Sequence, residues 1–304
     1  MYFTSLPDHN AAGFNEEAHF GQFKKHNVIF NAVSSDSHCD DHVGCLSFKT
    51  VLSGEEWYGI GQRKLAVRPG LFLILNNEQN YSCRIDAHEK VRCFSIFFKN
   101  DFAISAFRDL LQSEESSLDN PFQQTGILPE FFQTLNQITP EIQLHVLGLI
   151  RDLNQQGYSD AMVDEHLLYF MQELARTYRA DVRAMNEVEA IKCSTRNELY
   201  KRLCIARDML HSSYAASPDL NSLSREACMS IPQLIRQFKS VFRHSPHQYL
   251  MRIRLMRAAE LLVGTNLAVA EIAGSCGFES SSAFSRAFKV MYHVQPIHYR
   301  KAGL

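Results

Sequence analysis

The end of the chain repeats itself at an offset of fifty residues, and this constrains its fold more than any other feature. Ser230-x3-Leu234-x-Arg236-x-Phe238-Lys239-x6-Pro246-x2-Tyr249 recurs as Ser280-x3-Phe284-x-Arg286-x-Phe288-Lys289-x6-Pro296-x2-Tyr299. Two evenly offset copies of a cap, an apolar stripe and a basic outer face imply a duplicated supersecondary unit, a tandem pair and not a solenoid. Ser230 and Ser280 stand where an N-cap hydroxyl satisfies the first free amides of a helix. Leu234 with Phe238, and Phe284 with Phe288, are spaced i, i+4 and form an inward stripe, which leaves Arg236 and Arg286 on the other side. A short helical segment and a tight connection precede each copy, Leu220 to Ser224 and Val269 to Ala273. That is the order of a helix-turn-helix, whose second helix enters the major groove of DNA.

These residues resemble the AraC/XylS family of bacterial transcription regulators, whose DNA-binding domain joins two helix-turn-helix units by a long helix. The string GFESSSAFSRAFK from Gly277 to Lys289, followed by Pro296 and Tyr299-Arg300, looks like that family's signature. The resemblance covers about the last hundred residues. It implies that Pro232, Gln233, Ile235, Arg236, Gln237 and Lys239 of the first recognition helix, and Ser281, Ser282, Ser285, Arg286 and Lys289 of the second, face DNA. It also implies double-stranded promoter DNA and RNA polymerase as partners, a small-molecule effector, a homodimer, and an activator's role in the cytoplasm at the nucleoid. Three positions depart from the family's pattern: Arg243 and His293 stand where it usually has Gly before a turn, and Cys228 replaces a turn Gly. Glycine is the residue that takes positive φ without cost.

Charge divides the chain in the same place. Arg196 to Leu304 holds 15 Lys and Arg against 7 Asp and Glu, a balance of +8, and the remainder balances at −10, although the whole chain carries only −2. An acidic body with a basic head suits a phosphate-binding head; the bland alternative is a solvated charged face.

At 304 residues and 45% hydrophobic composition the chain is expected to form two domains. No apolar run approaches the roughly 20 residues that span a bilayer, and the start, MYFTSLPDHN, lacks the basic and apolar regions of a signal peptide. Eight scattered cysteines without a CxxC pair read as reduced thiols. No cofactor is implied.

The first half reads as strands. Gly44 to Ser53, Glu56 to Ile60, Leu71 to Leu75 and Val91 to Phe98 are short, rich in β-branched and aromatic residues, and punctuated by Ser53-Gly54, Pro69-Gly70 and Asn76-Asn77. Such spacing predicts an antiparallel barrel or sandwich, and Val67 to Leu75 is similar to a strand-turn-strand of the family's cupin-like effector domains. Trp57, Tyr58, Phe72, Tyr81 and Phe94 are candidates for an effector pocket, or equally for ordinary core. Helical spacing then covers Pro129 to Gln137, Pro140 to Asn154 and Ser159 to Tyr178. The last two form a helical hairpin that in the resembled family often dimerises, or that simply covers the barrel. Ala180 to Ser194 lacks a stripe and reads as linker, after which Thr195 to Glu198 suggests a capping box.

The expected class is thus α+β multidomain. An N-terminal antiparallel cupin-like β barrel over residues 1–128 precedes a hairpin over 129–180, a linker over 181–194, and an all-α domain with two helix-turn-helix units over 195–304. Two rival readings remain: a regulator whose barrel docks a protein, and a metal-dependent cupin enzyme. The enzyme would use His38, Cys39, Asp40, His42 or His88 as ligands, because Fe(II) or Zn needs about three protein ligands and an open position. His38 and His42 lie before the expected strands and His88 stands alone beside Glu89, so polar loop residues are the simpler account. No phosphate loop, nucleophile elbow or kinase signature is present, and enzymatic function is not expected.

Overall fold

The computed structural model describes residues 1–7, 15, 19, 21–86, 90–111 and 128–302. Its contacts divide the chain into two units, Met1–Arg183 and Ala184–Leu304.

In the first unit the described strands are β1 (Tyr2–Phe3), β2 (Val28–Ser34), β3 (Ser37–Gly44), β4 (Ser47–Ser53), β5 (Glu56–Ile60), β6 (Arg63–Val67), β7 (Leu71–Leu75), β8 (Gln79–Ile85), β9 (Val91–Phe97) and β10 (Asn136–Gln137). They form two separate sheets, ordered β1-β2-β9-β4-β7-β10 and β3-β8-β5-β6, so the expected cupin-like barrel is two facing sheets that do not close. Period-two alternation assigns each residue of the first sheet to one of two layers. Phe48, Phe72, Ile74, Phe94 and Ile96 share a core with helices α1 (Asn100–Leu111), α2 (Pro140–Gln156) and α3 (Asp160–Asn186). Their neighbours Val51, Leu73, Leu75 and Cys93 instead meet Tyr58, Leu65 and Tyr81 of the second sheet. The ring of Phe48 lies 5.0 Å from that of Phe72 and 5.5 Å from that of Phe170 on α3. Each such aromatic pair contributes about 0.5–1.5 kcal/mol beyond its buried area.

Several local expectations change in the tertiary context. Residues 129–137 are not helical. Asn136 pairs with Phe72 in the sheet, and the Asn76 side chain both donates to the Phe131 carbonyl at 2.9 Å and accepts from the Phe131 amide at 2.9 Å. These ladder-like bonds outweigh the helical spacing. His38 and His42 do not precede the strands: both lie on β3. His88 and Glu89 lie outside the described residues. Strands β1, β2, β3, β8 and β10 and helix α1 were not expected, and of β6 only its end at Val67 was.

The hairpin is present, with Thr139 capping α2 through a hydrogen bond from the Ile142 amide and Gly157 at positive φ ending it. Helix α3 continues to Asn186, into the first part of the stretch read as linker, with Asp181 and Met185 buried one helical turn apart. Helix α4 (Cys193–Ser212) starts before Thr195, and its N-cap Lys192 makes no side-chain cap, so the Thr195 capping box does not form.

The second unit continues with α5 (Leu220–Glu226), α6 (Ile231–Phe242), α7 (Pro246–Gly264), α8 (Val269–Ser275), α9 (Ser281–Tyr292) and α10 (Pro296–Ala302). The repeat holds in three dimensions. Phe238 lies 4.6 Å from Phe242 and 5.5 Å from Tyr249; in the second copy Phe288 lies 4.5 Å from Tyr292 and 5.3 Å from Tyr299. In α7 Leu250, Ile253, Ala258 and Leu262 are buried and Leu261 half-buried, and the charged Arg254 is buried too, its Nε donating to the Tyr214 carbonyl at 2.9 Å.

Arg243 and His293 both adopt the left-handed conformation at their helix ends, at φ of 63° and 60°, and Cys228 does so in the first turn at 48°. Gly277 performs the same role in the second turn, and there a Cβ would come within 2.6 Å of the Ala215 carbonyl oxygen. A side chain in this conformation costs about 1–2 kcal/mol, part of which glycine returns as chain entropy. His293→Gly is therefore expected to stabilise the protein by about 0.5–1 kcal/mol, read as a rise in Tm. Arg243→Gly should gain less, because it also removes an ion pair to Glu187 at 3.0 Å.

Candidate nucleic-acid interface and a cavity in the first unit

In each helix-turn-helix the first helix is short and the second longer: α5 precedes α6, and α8 precedes α9. Four residues join the first pair and five the second, so the repeat is offset by forty-nine residues in the leading helices and fifty in the recognition helices. The buried stripes Leu234 with Phe238 and Phe284 with Phe288 point each recognition helix's other face outward. Ser280 caps α9 through a hydrogen bond from the Ala283 amide at 3.2 Å, whereas Ser230 is an N-cap by position only and makes no side-chain bond.

On α6 Pro232, Arg236 and Lys239 are exposed and Gln233 and Ile235 half-buried; on α9 Ser281, Ser282, Arg286 and Lys289 are exposed and Ser285 half-buried. Arg286 has no ion pair among the described residues. Gln237 differs from expectation. It is buried, its Nε2 donating to the Glu189 carbonyl at 3.3 Å and its Oε1 accepting from the Glu189 amide at 3.1 Å. The repeat carried a hint of this, since the second copy has Ala287 at that position.

The segment 187–189 thus lies along the flank of α6. Ser240 Oγ donates to the Glu187 carbonyl at 3.1 Å, Glu187 pairs with Arg243 at 3.0 Å, and Glu189 pairs with Arg236 at 3.4 Å. These ion pairs are exposed, where such pairs are worth about 0–1 kcal/mol. Their effect is to place two carboxylates at the rim of a basic face.

In the first unit a cavity of about 70 Å³ opens between the two sheets. Of the five candidates, Tyr58 and Tyr81 line it and Trp57, Phe72 and Phe94 do not. The reason is strand alternation: Phe72 and Phe94 face the helical layer, and Trp57 points opposite to Tyr58. Sequence reasoning missed Lys49, Glu56 and the thiols of Cys83 and Cys93, which also line the cavity, as do Cys39 and His42 from the rejected metal-ligand set. The Lys49 ammonium lies 3.4 Å from the centroid of the Phe97 ring, and burial pulls its pKa down to about 8. Burial raises the Glu56 carboxyl, an effect opposed by the Lys49 charge and by hydrogen bonds from Tyr58 and Cys93. Cys39 Sγ lies 3.2 Å from His42 Nδ1, but no group of three metal-ligating side chains occurs among the described residues. No described helix is long and apolar enough to cross a membrane.

A helix-turn-helix domain family matches residues 223–302. The chain is 45% identical over 85 residues to the HTH-type transcriptional regulator MtrA of Neisseria gonorrhoeae, a match covering 28% of each protein. It is 27% identical over 179 residues to the HTH-type transcriptional activator RhaS of Yersinia pestis, covering 58% of this chain and 60% of that protein. The matched segment therefore spans less than two thirds of either relative's length. Among solved structures it is similar to ToxT from Vibrio cholerae O395 bound to (E)-4-(8-methylnaphthalen-1-yl)but-3-enoic acid, at 14% identity and a TM-score of 0.38, covering 92% of this chain and 98% of that one. MtrA and RhaS are named as regulators of transcription. The doubled helix-turn-helix, its αL-ended recognition helices and this matched segment make residues 223–302 a tandem helix-turn-helix domain of the AraC type.

Proposed function

We propose that the chain is a sequence-specific transcription regulator that reads double-stranded DNA with α6 and α9, activates transcription through contact with RNA polymerase, and is controlled by a small molecule bound in the first unit. The observation that carries the reading is the pair of recognition helices with equivalent aromatic anchors and exposed basic faces. In this reading Pro232, Gln233, Ile235, Arg236 and Lys239, with Ser281, Ser282, Ser285, Arg286 and Lys289, form the DNA face, and Gln237 is a positioning residue. The similarity to an activator over 58% of the chain supports the activating role. The hairpin is proposed as the dimer contact, supported by Leu144 and Leu147 on α2 and Leu168 and Tyr169 on α3, large apolar side chains left exposed. The test is selection of bound sequences from random duplex DNA by the full-length protein, followed by footprinting. Two readers on successive major grooves protect roughly 20 bp per chain, their centres about 10–10.5 bp apart; a single short half-site per chain would refute the reading.

The acidic rim adds a separate expectation. Neutralising Glu187 and Glu189 together to glutamine removes competition with phosphate and should raise DNA affinity several-fold at low salt. Because exposed charges are screened within about 10 Å at 0.1 M salt, the gain should shrink as salt increases. Titrations of wild-type and double-variant protein at two salt concentrations check this.

A further inference from the structure

Within the cavity of the first unit two charged side chains are almost wholly buried, Lys49 at 3% and Glu56 at 5% exposure. Among the described residues no close ion pair joins them, although the charge of each acts on the other. The Lys49 ammonium has ring faces as its partners, Phe97 at 3.4 Å and Tyr81 at 5.6 Å. The Glu56 carboxylate has the Tyr58 hydroxyl and the Cys93 thiol against it, yet its buried Oε2 has no hydrogen bond.

A buried charge without a partner is costly, and burial favours the neutral form of each group. A chain that holds both in one cavity therefore has a donor and an acceptor in want of complements. A monoanion would satisfy Lys49 and bring its charge against Glu56, and a monocation would do the reverse. A neutral apolar ligand would leave both unpaired. Only a molecule with both charges pairs each and keeps both ionised. Size sets a second limit: since a water occupies about 10–15 Å³ of such volume, 70 Å³ holds several waters or one amino-acid-sized metabolite. Tyr58, Tyr81 and Phe97 would enclose its apolar part.

We propose that the cavity binds a small zwitterion, its anionic group on Lys49 Nζ and its cationic nitrogen on Glu56 Oε2. This rests on the reading of the first unit as an effector-binding domain and names the ligand's class.

The experiment measures thermal shift and calorimetric binding on the full-length protein. Its probes are glycine, L-alanine, L-valine, L-leucine, betaine and taurine, with isovalerate and isobutylamine as the two singly charged counterparts of L-valine. At least one zwitterion is expected to raise Tm with concentration, with the singly charged analogues about 10-fold or more weaker. Glu56→Gln, nearly isosteric, and Lys49→Met should each weaken that zwitterion by a similar factor. If Lys49→Met does not fold, Lys49→Arg retains the charge and the Glu56→Gln arm carries the test. Isovalerate or isobutylamine binding as tightly as the zwitterions would overturn the ligand class while leaving the effector reading intact. Zwitterion binding unchanged in Glu56→Gln would overturn the site. No response to any probe of any charge would overturn both the class and the sensor role of this cavity.

Discussion

Replacing Arg286 by alanine is expected to weaken binding to the selected operator by about 1–3 kcal/mol, roughly 5- to 150-fold, and to relax base preference at one position. Arginine can bond both O6 and N7 of guanine, whereas the serines at 281, 282 and 285 are short and discriminate weakly. The second reader therefore concentrates its specificity in one side chain. Arg236→Ala should fall toward the lower part of the same range, because Arg236 is already engaged by Glu189 at 3.4 Å and must leave that carboxylate to reach a base. Lys239→Ala and Lys289→Ala, if these lysines hold phosphates, should weaken binding to all sequences alike and each lower the salt slope by about one. Equilibrium titrations on the selected site and on a scrambled duplex separate the two kinds of loss. Equal affinity of wild type and both arginine variants for the selected site would remove α6 and α9 as readers.

A chain beginning at Ala184 should retain sequence preference and lose most of the affinity for paired sites. The second unit contains both recognition helices and the segment 187–189 that fastens to Gln237 and Ser240, so cutting at Ala184 keeps these bonds, whereas cutting at Ser194 would expose the buried amide of Gln237. If dimerisation runs through α2 and α3, the shortened chain binds each half independently, and avidity worth about 10²–10⁴ in affinity disappears. Its affinity for a single site should match that of the full-length protein, and it should show no effector response, since a ligand shifts an equilibrium only through a state it binds differently. Titration on one-site and two-site duplexes reads both effects. A shortened chain that kept two-site avidity would place the dimer contact in the DNA-binding unit.

The doubled helix-turn-helix was legible in the residues because helix rules are local. Caps, i, i+4 stripes and the fifty-residue offset each involve neighbours along one helix, and the structure places Phe238 and Phe288, Tyr249 and Tyr299 in matching positions. Strands β5 and β7 and helix α2 were legible for the same reason, each having its own periodicity. What the sequence by itself determined is therefore the set of elements with a strong local pattern, the division of charge, and the buried stripe of each recognition helix. Only the tertiary structure decided the rest. Residues 129–137 have helical spacing but become extended because Asn76 and β7 supply their backbone partners from more than fifty positions away. Gln237 sits on a helix of legible pattern, yet its burial depends on Glu189, forty-eight residues earlier. Lys49 and Glu56 lie on different strands in different sheets, and no spacing rule joins them. Their meeting in one cavity follows from the sheet each strand joins and the face it turns inward, which its pairing partners decide and no local period records.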